Sequence, residues 1–135
     1  MNIFAVVCHA NAKGLLDVVA QHKAKCSCLY HEPIDPSVFR SAPFLVEINE
    51  AIKPWFASLT EPWGIYLITE TDVSFNEMRQ HLRKFTYVII PSHEVPVMFR
   101  FYDPRVFWNF VEVIDDAQLS WMLSPIGIVA SNYQE

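Results

Sequence analysis

The chain has 135 residues, 52% hydrophobic and 19% charged, with a formal net charge of −5. That length suits one domain, the apolar content excludes a disordered chain, and nine Pro against three Gly exclude collagen-like sequence. The acidic balance argues against a general nucleic-acid binder, and a mean hydropathy of +0.17 suggests apolar surface awaiting a partner.

Ile3 to Cys8 reads as a buried first strand, followed by a helix from Lys13 to Lys23 with Leu15, Val18, Val19 and His22 on one face. Cys26 to Tyr30 is a second strand, and His31 to Ala42 a Pro-punctuated loop. Phe44 to Ile48 forms a third strand, with a helical piece near Trp55 to Leu59. Trp63 to Thr69 is almost continuously apolar and reads as a strand covered on both faces. Ser74 and Glu77 have capping-box spacing, and Val73 with Met78 occupies the staple positions of a helix whose stripe is Phe75, Met78, Leu82 and Phe85.

Thr86 to Ile90 and Val95 to Tyr102 then read as a hairpin around Pro91-Ser92-His93-Glu94. Asp103-Pro104 starts another helix, with Phe107, Phe110, Val111 and Ile114 inward. Asp115 or Asp116 caps a short helix with Leu119, Met122 and Leu123 inward, and Ile126 to Ala130 ends the chain as a strand. The expected fold is a single α/β domain over residues 1–135, with a mixed β-sheet, packed helices and a late β-hairpin.

No stretch predicts a membrane span; the uncharged run from Ala117 to Gln134 is broken by Pro125 and Gly127. Met1 to Phe4 has no positive n-region, and three cysteines favour free thiols, so a cytoplasmic protein is expected. Cys8-His9 is the pair from which a small hydrolase or transferase would start. Neighbours on a strand point to opposite faces, the wrong geometry for one to deprotonate the other. Zinc through Cys26, Cys28 and His31 lacks a second matched ligand pair, so neither metal nor cofactor is expected. The acidic residues Glu47, Glu50, Glu61, Glu70 and Asp72 are dispersed, and three glycines cannot build a phosphate cradle.

The densest constellation is Phe99 to Val106, FRFYDPRV. On a strand, Val97, Phe99 and Phe101 share one face, while Met98, Arg100 and Tyr102 share the other. Arg100 and Tyr102 then project beside the helix start at Asp103, and Arg105 emerges from its first turn. The plain reading is an Asp103 cap with Arg100 tied to a carboxylate. The functional reading is an exposed polar anchor for a partner. A cation in a first turn opposes the helix dipole, so Arg105 needs a compensating partner or task. Trp108 and Trp121 each lie about 100° round a helix from an inward neighbour. They either cover a core edge or belong to a partner-binding patch. Val106 to Glu135 has no Lys or Arg but carries Glu112, Asp115, Asp116 and Glu135, which favours a basic partner segment over nucleic acid.

At these residues the chain resembles the bacterial type VI secretion effector adaptors, or chaperones (the Tap family). FRFYDPRV at 99–106 is the most specific match. Ala42 to Val46, Pro62 to Ile65, His81 to Lys84, and Gln118-Leu119 leading to Ser124-Pro125-Ile126 support it in order and spacing. The resemblance implies a non-enzymatic cytoplasmic adaptor that binds a toxic effector and helps load it onto the VgrG/PAAR spike. It implies no catalytic residue, nucleic acid or membrane partner. The loop at 91–94 lacks the Gly often found there, and many members continue into a second lobe. The chain is thus expected to be a minimal member or an N-terminal lobe, with Arg100, Tyr102, Asp103, Arg105, Trp108 and Trp121 as its candidate binding residues. The alternatives are the small hydrolase or transferase using Cys8 or a His, a zinc-stabilised module, and a structural fragment.

Overall fold

Alternating side chains on the first strand decide the architecture, because both of its faces are apolar. The computed structural model describes residues 1–31, 34–70, 72–88 and 97–133. The elements run β1 (Asn2–Cys8), α1 (Leu15–Gln21), β2 (Cys26–Cys28), α2 (Pro36–Phe39), β3 (Pro43–Glu47), α3 (Lys53–Ser58), β4 (Gly64–Thr69) and α4 (Phe75–Arg83). They continue as β5 (Tyr87–Val88), β6 (Val97–Met98), α5 (Pro104–Val113), α6 (Asp116–Leu123) and β7 (Ile126–Ala130). Five strands form one sheet in the order β2-β3-β1-β4-β7, and β5 pairs with β6 separately.

The first four strands of this sheet, with α1 joining β1 to β2 and α3 joining β3 to β4, follow a split β-α-β arrangement. β7 extends it beyond β4. Phe4, Val6 and Cys8 face a core completed by Leu45, Ile65, Leu67 and residues of α4, α5 and α6. Ala5 and Val7 face the opposite core, completed by Phe44, Val46 and residues of α1 and α3. The sheet is therefore sandwiched between two helical layers, which explains why β1 and β4 read as nearly unbroken apolar runs. Gly64 is needed where β4 meets β1: a Cβ there would collide with the Val6 carbonyl.

The α/β class, the packed helices and the late hairpin are present as expected. The strand directions refine the expected mixed sheet, since every pairing among the described residues is antiparallel. The reason is topological. β2, β4, β5 and β7 each pair with strands other than the one preceding the helix before them, and β3, which does pair with β2 across the short α2, returns antiparallel to it, so the helical connections create no parallel neighbours. A short helix inside the expected loop at 31–42 is a further difference. Asp35 accepts from the Ser37 N–H at 2.8 Å and Pro36 occupies the first turn, the same Asp-Pro signal as at 103–104. The second strand of the hairpin also ends earlier than expected. β6 ends at Met98; the Phe99 N–H still reaches the Thr86 carbonyl (2.9 Å), and the chain then turns. The loop at 91–94 lies outside the described residues.

Candidate functional site

The start of α5 is a polar corner whose groups are matched within the chain. Asp103 Oδ1 accepts the Arg105 backbone N–H and its Nε–H, each at 3.0 Å, and Oδ2 accepts from Nη2 at 2.9 Å. Burial pushes the Asp103 carboxyl up, but the Arg105 hydrogen bonds and charge outweigh it and hold it below its ordinary range. The helix cap expected of Asp103 is present, and Arg105 has the compensating partner that the dipole argument demands.

Arg100 differs from expectation. Rather than a carboxylate, its guanidinium reaches Cys8 Sγ at 3.4 Å and lies 5.7 Å from the Tyr102 ring centroid. Tyr102 is fully buried, which corrects its reading as an exposed anchor. The chain turns at this point, with the Asp103 N–H donating to the Arg100 carbonyl (3.1 Å), and folds Phe101 and Tyr102 together into the same core. The alternation assumed for a strand reaching Tyr102 therefore breaks at Phe99. Burial pushes the Tyr102 phenol above its ordinary value, with Tyr30 beside it adding to the shift and Arg100 opposing it.

The thiol–imidazole pair diverges as expected, although His9 lies just past the end of β1, in a 3-10 turn over His9–Asn11. Cys8 is buried against the α5 side with Sγ 3.8 Å from the Ser41 carbonyl. The His9 ring packs edge-on to Phe39 and Phe44, at 5.6 and 5.1 Å between centroids, on the opposite side. Cys26 and Cys28 are packed on one face of β2 and are not joined in a disulfide. Burial first, and then the neighbouring Cys28, pushes the Cys26 thiol up to about 11, which keeps it protonated at neutral pH. His31 is exposed, and among the described residues no three His, Cys, Asp or Glu side chains group as metal ligands.

Ten residues beyond Asp103 the surface changes character. The last turn of α5, α6, the end of α4 and the exit of β6 enclose a groove of about 470 Å³. Phe85, Phe99, Phe110, Val113, Ile114 and Trp121 line it, and Gln118 is its polar lining residue. Val113 is 82% exposed and Trp121 58% exposed, although both are large and apolar. The groove is braced from beneath by edge-on ring pairs, Phe85 with Trp121 and Phe99 with Phe110, each 4.8 Å between centroids. His81 ties α4 to α6 by donating from Nε2 to the Met122 carbonyl at 2.6 Å.

Of the sequence-selected residues, Trp121 belongs to this groove. Trp108 does not; it is half-buried and donates from Nε1 to Ser131 Oγ at 3.2 Å, tying α5 to the segment after β7. Val113 and Phe99 lie outside the residues that the sequence singles out for binding. Val113 sits off the inward stripe of its helix in the same way as Trp121, and that signal was available. Phe99 reads as part of one strand face and gives none.

Among known families, the model described as Domain of unknown function (DUF4123) matches residues 3–120. No curated protein and no solved structure matches the chain. No helix among the described residues is long and apolar enough to cross a membrane.

Proposed function

The chain belongs to the DUF4123 family, and on that premise we propose that it is a protein-binding adaptor of a bacterial type VI secretion system. It holds a toxic effector in the cytoplasm and helps deliver it to the VgrG/PAAR spike, without catalysing a reaction. The observation that carries this reading is the open apolar groove at the α5–α6 turn. A chain of net charge −5 that still leaves Val113 and Trp121 exposed side by side on one groove has the surface of a protein awaiting a partner. The resemblance of residues 99–106, which end in the first turn of the helix bordering that groove, gives the partner its identity. The divergence of Cys8 from His9 weighs against the competing hydrolase or transferase.

The test is co-purification of the tagged chain with proteins encoded beside it. Recovery of a neighbouring effector or spike protein in stoichiometric amount is the expected result. A neighbouring protein that never co-purifies, together with a turnover abolished by alkylating Cys8, would replace the adaptor with the enzyme.

A further inference from the structure

We infer that the groove takes an amphipathic helix of the partner, with apolar anchors facing the groove and lysines or arginines on the flank that lies over the α5–α6 turn. This inference rests on the adaptor reading and specifies the segment it recognises.

The choice of a helix follows from the backbone. The groove is walled by the ends of α4, α5 and α6 and the exit of β6, the interior backbone of those helices is paired within them, and the described lining side chains are apolar except for Gln118. An extended segment lying there would find almost nothing to pair with its own peptide groups. A helix pairs them internally and presents only side chains, the usual helix-in-groove solution. A space of about 470 Å³ suits a few apolar side chains, such as those at positions i, i+3 or i+4, and i+7 of one face.

The choice of charge follows from the rim. From Val106 to the end of the chain there is no Lys or Arg. Glu112, Asp115 and Asp116 are all exposed where α5 gives way to α6, directly beside Val113 and Ile114. Asp115 caps α6 by accepting from the Gln118 N–H at 2.8 Å. On the far side of the groove the exposed charge next to Phe85 is the cation Lys84. The rim is therefore polar in the electrical sense: a basic flank is attracted over the α5–α6 turn and repelled at the α4 end, which fixes the direction of the bound helix.

The experiment uses the full chain and, as probes, overlapping peptides of about 20 residues tiling the proteins encoded beside it, with those full-length proteins in parallel. The expected peptide combines a helical apolar stripe with Lys or Arg at one flank and gains helical circular dichroism on binding. Trp121→Ala should weaken it roughly thirtyfold, as removal of a central aromatic anchor does. Glu112→Lys, which suits a helix C-terminus and so spares the fold, combined with Asp116→Asn should weaken it by roughly three- to tenfold and flatten its salt dependence. Peptides that bind through Trp121 but are neutral or acidic, stay extended, or ignore Glu112→Lys overturn the basic helix and leave the adaptor reading standing. A full-length neighbour bound as tightly by Trp121→Ala as by the parent overturns the groove as its site. Failure of every peptide and every neighbouring protein to bind overturns both.

Discussion

At its N-terminus α5 starts from a carboxylate that accepts three hydrogen bonds from one arginine; at its C-terminus Val113 stands 82% exposed beside a groove walled by aromatic rings. The two ends belong to one helix ten residues long, so they share its packing and differ only in what their side chains face. The N-terminal end is self-sufficient. Its charge, its cap and its helix dipole are balanced by residues within two positions of one another. The C-terminal end leaves apolar area in water, which contributes nothing to folding and favours association. A motif that is conspicuous in sequence therefore need not be the binding surface. The conspicuous residues here build the helix, and the proposed binding surface lies among less conspicuous ones at its far end.

The largest effect should come from the residue between the two ends. Phe107 is 2% exposed and seats α5 on the core shared with Phe101 and Tyr102. Phe107→Ala should lose about 3–5 kcal/mol in urea denaturation and disturb corner and groove together. A loss below about 1 kcal/mol would mean that the two ends are seated independently of this residue. Next comes the corner itself. Asp103→Ala removes the cap and should lose about 0.5–2 kcal/mol. Since the Asp103 carboxyl is held below its ordinary range in the fold, its contribution is present above the ordinary carboxylate value and is lost as pH falls through the lowered one. The parent and the variant should accordingly converge in stability only in acid, as melting curves down to pH 3 would reveal.

The legible parts of this fold are those where one local signal decides the outcome. Ser74 and Asp103 cap the helices expected of them, and of the two candidates Asp115 and Asp116 it is Asp115 that caps the next, each through a backbone N–H two or three residues on. The unbroken apolar run of β4 correctly reads as a strand covered on both faces. Asp35-Pro36 carries the same signal, but Pro33 and Pro43 on either side of it speak for a loop. The turn at Arg100 was not legible, because Phe101 and Tyr102 are both buried by tertiary packing and a period-two pattern cannot express that. The groove was legible only in part, since Phe85, Phe99 and Trp121 come from three distant segments. Trp121 and the acidic run beside it could be singled out in advance; their meeting with Phe85 could not.

The groove end should respond to pH through His81, whose Nε2–H holds the Met122 carbonyl of α6. Burial lowers its pKa first, the Met122 hydrogen bond works against that, and the charge of Lys84 reinforces it. A histidine with a lowered value in the fold takes up its proton first in the unfolded chain. Stability from this residue is therefore complete above the ordinary histidine value of about 6.5 and declines as pH falls below it. The melting temperature of the parent should drop between pH 7.5 and 5.5 by more than that of His81→Gln, the difference isolating His81 from the other histidines. Parallel pH profiles would show that the α4–α6 tie does not sense protonation.

The smallest change in stability is expected where the sequence motif is most eye-catching. Arg105 is half exposed, and its pairing with Asp103 is a surface ion pair despite its two-pronged geometry. Arg105→Ala should therefore lose no more than about 1 kcal/mol, because the Asp103 cap on the backbone N–H of residue 105 survives the substitution. The more informative measurement is binding. If the corner serves only to build the helix, Arg105→Ala should capture a neighbouring effector as well as the parent does, while Trp121→Ala fails. Loss of capture by Arg105→Ala at an unchanged melting temperature would reverse the comparison between the two ends of α5, returning recognition to the FRFYDPRV corner and leaving the groove to some other partner.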